Sequence, residues 1–390
     1  MHNKIVFEEY KPTIVVFSLY PETHACPVIR IIDPLVVNNY KVLWGAKYIQ
    51  SKWSFDLEAA YTADLIIIQR HFPSAHTVEL LEKILKSNVP IAYELDDMLI
   101  GLPSFHPSYE NLNYHKPYIK WILKAADMVI ASTPNLQISL KKYTTRPIHV
   151  QTNLVNWDLF NSSPRPISPP FTFLVSGTST HTTDWSIIEE SLLKILSNYP
   201  DKVKAIFFGN LPEKFLNHPA VQLIKFEDGY KKYADKLKKI NVNCALVPLE
   251  DTHFNNCKSN IKWLEYSAAG IAGIYSNITP YNSSIRHGET GFLVKNTADA
   301  WFQAMNQLIK NPGTALEMVE NARVEVRNNY SVESSSADYN KFIHSLVGQP
   351  HQRNFFSKLS ILPTRMKENT KTRLTAFLNK HILWRFTPQK

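Results

Sequence analysis

Cysteine is scarce in this 390-residue chain. Three occur, Cys26, Cys244 and Cys257, and no two share the spacing of a metal site or a disulfide framework. That argues against a structural metal and for a reducing compartment. Long apolar runs are absent too. No stretch approaches the roughly 20 apolar residues of a membrane-spanning helix, and the N-terminal MHNKIVFEEYKP has no signal-peptide core, so the expected location is cytoplasmic. Surplus charge is missing from the body of the chain. The formal net charge is +9, but His351 to Lys390 hold nine Lys or Arg against one acid, Glu368, a net +8 that leaves +1 for residues 1–350. The basic footprint of a nucleic-acid binder is not in the body, and no nucleic-acid partner is expected.

What remains is a globular composition, 44% hydrophobic and 20% charged, long enough for two cores. Short β-branched runs alternate with amphipathic segments: TIVVFSLY (13–20), ADLIIIQR (63–70), VPIAYEL (89–95), ADMVIAS (126–132) and IHVQTN (148–153), with VELLEKILK (78–86) and YIKWILKAA (118–126) between them. Strands that are apolar throughout and separated by helices predict a parallel sheet covered on both faces. NSSPRPISPP (161–170) is too rich in proline for a helix or a central strand and reads as an interdomain linker. The rhythm then restarts with FTFLVSG (171–177), SIIEESLLKILSNY (186–199), VKAIFFGN (203–210), VQLIKF (221–226), YKKYADKLKKI (230–240) and NCALVPL (243–249). GIAGIYSN (270–277), GFLV (291–294) and ADAWFQAMNQLIKN (298–311) close it. The expected fold class is α/β, with two Rossmann-like domains facing a cleft.

In open parallel sheets, ligands bind where strand carboxyl ends run into helix N-termini. FNNCKSNIKWLEYSAAGI (254–271) begins at such a point, and Lys258, Lys262 and Glu265 recur at i, i+4 and i+7, on one face of a predicted helix. Its first turn, near Asn256 to Ser259, offers free amides, a hydroxyl and a lysine for a phosphate, and Glu265 is placed to accept from ribose or sugar hydroxyls. A surface pair between Lys262 and Glu265 explains the same spacing. Gly177 with Thr178, Ser179, Thr180 and His181 forms a second phosphate candidate, GTSTHTTDW. The same loop also reads as an ordinary turn into a helix capped by Thr183 or Asp184. In the first half, YELDDMLIGLP (93–103) ends a buried strand with Asp96 and Asp97, one to orient an acceptor hydroxyl or the donor sugar and the other to cap the following segment; capping alone explains the same pair. His71, His24 and Arg30 follow strands in the same positional logic, the histidines as catalytic candidates and Arg30 as an acceptor-binding one.

KSNIKWLEYSAAGIAGIYSN, followed by PYNSSIRHGETGFLV, resembles the donor-binding half of the GT-B glycosyltransferases, in particular retaining family 4 (glycosyl transferases group 1). In that family a helix carrying a Glu precedes a small-residue turn, a strand, and a G-x-x-G-x-L segment. Here these are Glu265, Ala268 to Gly270, the strand to Ser276, and Gly288 to Leu293. The resemblance is strong over roughly 243–312. Three departures stand out: Cys257 occupies the position of the family's first Glu, Ala272 replaces a common Pro, and the 177–185 loop lacks the usual Arg and Lys.

The resemblance implies an acceptor domain at 1–165, a nucleotide-sugar donor domain at 166–330, a crossover helix at 331–350 and the basic tail at 351–390. It implies sugar transfer from a nucleotide-sugar to a glycan or lipid-linked acceptor, with retention, in bacterial surface polysaccharide synthesis. The diphosphate is assigned to Lys258, Ser259 and Lys262, and no metal or other cofactor is expected. The tail interleaves Phe355, Phe356, Leu359, Leu362, Leu374, Phe377, Leu378, Leu383 and Trp384 with its cations, a pattern suited to an anionic membrane surface on the inner face of the cell membrane. A solvated basic tail fits the same residues. The competing class is a non-catalytic protein of this fold that uses the tail for binding or scaffolding.

Overall fold

The computed structural model describes residues 10–166, 169–226 and 228–347. They form two six-stranded sheets and a small hairpin. The first sheet contains β1 (Thr13–Phe17), β2 (Lys41–Trp44), β5 (Leu65–Gln69), β6 (Ile91–Leu95), β7 (Met128–Ala131) and β8 (Ile148–Val150); β3 (Ala46–Ile49) and β4 (Lys52–Phe55) pair apart as an antiparallel hairpin. The second contains β9 (Phe171–Gly177), β10 (Val203–Gly209), β11 (Val221–Ile224), β12 (Cys244–Val247), β13 (Ala272–Ser276) and β14 (Phe292–Val294). Every pairing within the two six-stranded sheets is parallel. The α/β expectation is met: Ile14, Val15, Val16, Phe17, Ile66, Ile67 and Ile68 are all fully buried, as they must be in strands covered on both faces.

Strand order decides where ligands bind. The sheets run β2-β1-β5-β6-β7-β8 and β11-β10-β9-β12-β13-β14. In each, the winding reverses beside the first strand, so crevices open at the carboxyl ends of β1 and β5, and of β9 and β12. Sequence reading missed β2 and the hairpin, whose residues are partly exposed and lack a long apolar run. It also missed the helix Pro312–Asn329. YIKWILKAA belongs to a longer helix, Tyr109–Ala125, that accommodates Pro117 within it.

The two halves interlock. Ile29, from the helical stretch after β1, joins the core on one face of the second sheet, while Phe254 and Cys257, from the loop after β12, join a core of the first. After the second sheet, the backbone pairs Val155 with Ser331, and helix Ala337–Leu346 packs Tyr339, Ile343 and Leu346 against Ile14 and Val16 of the first sheet and Leu35 of the helix Asp33–Val36. The expected basic amphipathic segment at 351–390 lies outside the described residues. Among the described residues, no helix is long and apolar enough to cross a membrane.

Candidate active site

The crevice at the carboxyl ends of β9 and β12 is built around Lys262. The predicted single helix is two: a turn His253–Asn256, capped by Thr252 accepting from the Asn255 amide, and a helix Ile261–Ala268 that starts at Asn260. Lys258 and Ser259 lie in the break between them. The expectation of three charges on one helical face is thereby corrected, since Lys258 precedes the helix. Its ammonium lies 5.0 Å from the centre of the Phe254 ring. Lys262 reaches back across the crevice and donates from Nζ to the Ser176 carbonyl at the end of β9, at 2.8 Å. Burial pushes its pKa down to about 8; Lys258 acts in the same direction, and Asp184 and Glu265 oppose it. Among the described residues, neither lysine has a carboxylate within ion-pair distance.

Beyond Ser176, the loop presents Gly177, Thr178 and His181. A Cβ at Gly177 would come within 2.8 Å of the His181 ring and 3.1 Å of Trp185, so glycine lets the imidazole lie against the strand end. Thr178 and Thr180 share a hydroxyl hydrogen bond at 2.8 Å. Asp184 does not cap the helix Thr182–Asn198. Its carboxylate accepts instead from His181 Nδ1 (2.8 Å), the Glu250 amide (2.9 Å) and Asn255 Nδ2 (3.2 Å), tying the loop after β9 to the loop after β12. These donors hold Asp184 ionised, while burial and the charge of Lys262 keep His181 neutral.

Glu265 is 5% exposed, and its two oxygens accept from Tyr230 Oη (2.6 Å) and Tyr233 Oη (3.0 Å). Burial pushes its pKa up to about 7 against the lowering effect of both tyrosines.

In the first domain, Asp96 and Asp97 follow β6 at the rim of the first crevice. Arg70, which sequence reading passed over, pairs with both: Nη1 bonds Asp96 and lies 3.3 Å from Asp97. Its backbone sits at φ +52°, the left-handed region that few side chains adopt, directly after β5. The only sequence signal for Arg70 is its position after an apolar strand. Asp96 is 14% exposed and Asp97 26%, so Asp97 is the more accessible carboxylate. His71 is buried between Tyr20 and His115, with Nδ1 unbonded, and burial drives its pKa far below the usual value. His24 accepts from the Cys26 amide at 3.3 Å, capping the turn Ala25–Pro27, and stacks on Tyr20; burial lowers its pKa to about 4. Both histidines are therefore neutral members of an aromatic cluster.

Arg30 is a second correction. It is 1% exposed, with Nε on Glu94 Oε1 at 2.8 Å and Nη1 on the Gln151 carbonyl and Asn153 Oδ1. It bridges β6 to the segment after β8, inside the fold rather than on an acceptor surface. His106, also missed, packs edge-on to Phe254, and its pKa is lowered by burial and by Lys258 while Asp97 and Asp184 oppose this. Groups from both domains thus share one field across the cleft.

Residues 260–325 match the family model described as Glycosyl transferases group 1. Among solved structures, sucrose-phosphate synthase from Thermosynechococcus elongatus superposes at TM-score 0.64 with 14% identity, over 86% of this chain and 99% of that one. A glycosyltransferase from Rickettsia africae ESF-5 gives 0.61 and 16%, over 87% and 99%. Anabaena Alr3699/HepE in complex with UDP-glucose gives 0.61 and 14%, over 85% and 99%. No curated protein matches the chain in sequence. The fold is that of the GT-B glycosyltransferases, and the group 1 signature lies in the second domain.

Proposed function

We propose that this GT-B protein, with its group 1 glycosyltransferase signature, is a nucleotide-sugar-dependent glycosyltransferase. The observation that carries this reading is Lys262 drawn to the Ser176 carbonyl at the switch point of the second sheet, beside Ser259 and Lys258 and with no carboxylate partner. Two ammonium groups, a hydroxyl and first-turn amides without helical acceptors suit a diphosphate. They stabilise the negative charge that grows on the departing diphosphate as the glycosidic bond breaks, where stabilisation accelerates the reaction. The lysines and the helix end supply this positive charge, so the proposed reaction requires no metal.

Opposite them, Asp97 orients and polarises the acceptor hydroxyl, with Arg70 fixing its position through the Asp96–Asp97 pair. His181, neutral and anchored on Asp184, has Nε2 free to contact the donor. Retention at the anomeric carbon, a glycan or lipid-linked acceptor, a role in surface polysaccharide synthesis and peripheral attachment to the inner face of the membrane complete the proposal. They rest on the family signature and on the basic composition of residues 351–390.

Thermal unfolding with UDP, GDP, dTDP and CMP tests the reading. A nucleotide at about 100 times its dissociation constant adds roughly 2.7 kcal/mol of stability. One nucleotide is expected to stabilise wild type and to lose most of that effect in Lys262→Ala; if none stabilises wild type, the donor site is not what we propose. Binding without turnover of any nucleotide-sugar would favour the non-catalytic reading, for which Cys257 in place of the first acid is the supporting observation.

A further inference from the structure

We propose that Asn153 is a positioning residue that sets the direction of the Ser259 hydrogen bond, making the Ser259 hydroxyl a donor toward the diphosphate; this rests on the donor-site reading above. The buried Arg30–Glu94 pair fixes the arrangement. Arg30 Nη1 lies 2.8 Å from Asn153 Oδ1, and a guanidinium only donates, so Oδ1 is the acceptor end of the amide and Nδ2 its donor end. Asn153 Nδ2 then donates to Ser259 Oγ at 2.7 Å, from the first domain's last segment to the turn that opens the donor helix. A serine oxygen that accepts from an amide keeps its own proton for another partner. Among the described residues no acceptor for that proton is present, and Ser259 is half-buried next to Lys258 and the first amides of helix Ile261–Ala268. A hydroxyl obliged to donate, set among cationic and amide donors, is matched to an oxyanion.

The chain Glu94–Arg30–Asn153–Ser259 therefore carries a polarity from the interior of the first domain to the phosphate turn of the second. Glu94 stands two residues before Asp96 on the strand that presents the acceptor-side carboxylates. Ordering of the acceptor side and the hydrogen-bond direction of the donor side share one buried bridge.

Asn153→Asp is the informative variant. A carboxylate keeps the bond from Arg30 and strengthens it with charge, so folding is preserved. It cannot donate, however, so the Ser259 proton turns toward it and is lost to the ligand. The measurement is calorimetric binding of whichever of UDP, GDP and dTDP wild type binds, alongside its parent nucleoside, to wild type, Asn153→Asp, Ser259→Ala and the double variant, with unfolding temperatures for each. Expected are an unfolding temperature for Asn153→Asp no lower than wild type, nucleoside diphosphate affinity about tenfold weaker in both single variants, nucleoside affinity unchanged, and a double variant weaker than Asn153→Asp by less than about twofold. Wild-type diphosphate affinity in Asn153→Asp, or an equal loss for diphosphate and nucleoside, overturns the inference while leaving the donor site standing. If wild type binds none of the three, the functional reading fails and takes this inference with it.

Discussion

Cys257, carried by the second domain, lies in a core of the first, 1% exposed and with Sγ 3.5 Å from Ser139 Oγ. The neighbouring carbonyls of Asn256 and Cys257 accept from Asn135 Nδ2 and Thr133 Oγ1, both at 2.9 Å. The position at which the resembled family carries its first acid is here an apolar plug between domains. Cys257→Glu is therefore expected to cost at least about 3 kcal/mol, because a carboxylate enters a buried apolar cluster. Urea unfolding checks this, with Cys257→Ala as a control that loses only a small buried side chain. A Glu variant as stable as the control would place position 257 in the cleft instead.

Glu265 gives stability its own pH dependence. Its carboxyl is pushed from an ordinary 4.5 to about 7 in the folded protein, chiefly by burial. Over that window the folded state holds a proton that the unfolded state has released, so this contribution is complete below about pH 4.5 and is lost as pH rises through about 7. Glu265→Gln, which keeps the size and an acceptor for the tyrosines, removes the titration. Relative to that variant, wild type should lose on the order of 3 kcal/mol between pH 4.5 and 8. Parallel curves for the two proteins would show that Glu265 does not titrate there.

Donor affinity should fall on the alkaline side because of Lys262. Burial lowers its pKa to about 8, so the free protein loses this ammonium just above neutrality, and a bound diphosphate restores it. Nucleotide binding above pH 8 is expected to take up a proton and to weaken by up to about tenfold per pH unit. Calorimetry in two buffers of different ionisation heat reads the proton directly. Lys262→Met should bind weakly at every pH, with no uptake; uptake persisting in that variant would assign the proton to another group.

Asp97→Asn should separate chemistry from folding. Asp97 is the more exposed of the two carboxylates and lies farther from Arg70, so its replacement is expected to lower sugar transfer about 100-fold while moving the unfolding temperature little. Asp96→Asn removes the closer partner of a buried guanidinium and should destabilise as well as inactivate. The pattern reversed, with Asp96 dispensable for stability and Asp97 for turnover, would exchange their roles.

Much of the fold was legible from the chain, because parallel strands buried on both faces must be continuously apolar. FTFLVSG coincides with β9, and the runs that became β5, β6 and β7 are as evident. The placement of Lys258, Ser259, Lys262, Gly177 and His181 at one crevice also follows from sequence, since a strand end running into a helix is a local pattern. Tertiary structure alone decided what each group faces. That Glu265 meets two tyrosines depends on helix Tyr230–Lys239 packing across from it, more than 30 residues earlier. Whether Arg30 is a surface cation or the partner of Glu94 depends on β6 lying over the segment after β1. Periodicity records that a residue is buried or exposed along its own element; the partner that satisfies its charge comes from another element, and only the packed chain brings the two within hydrogen-bond distance.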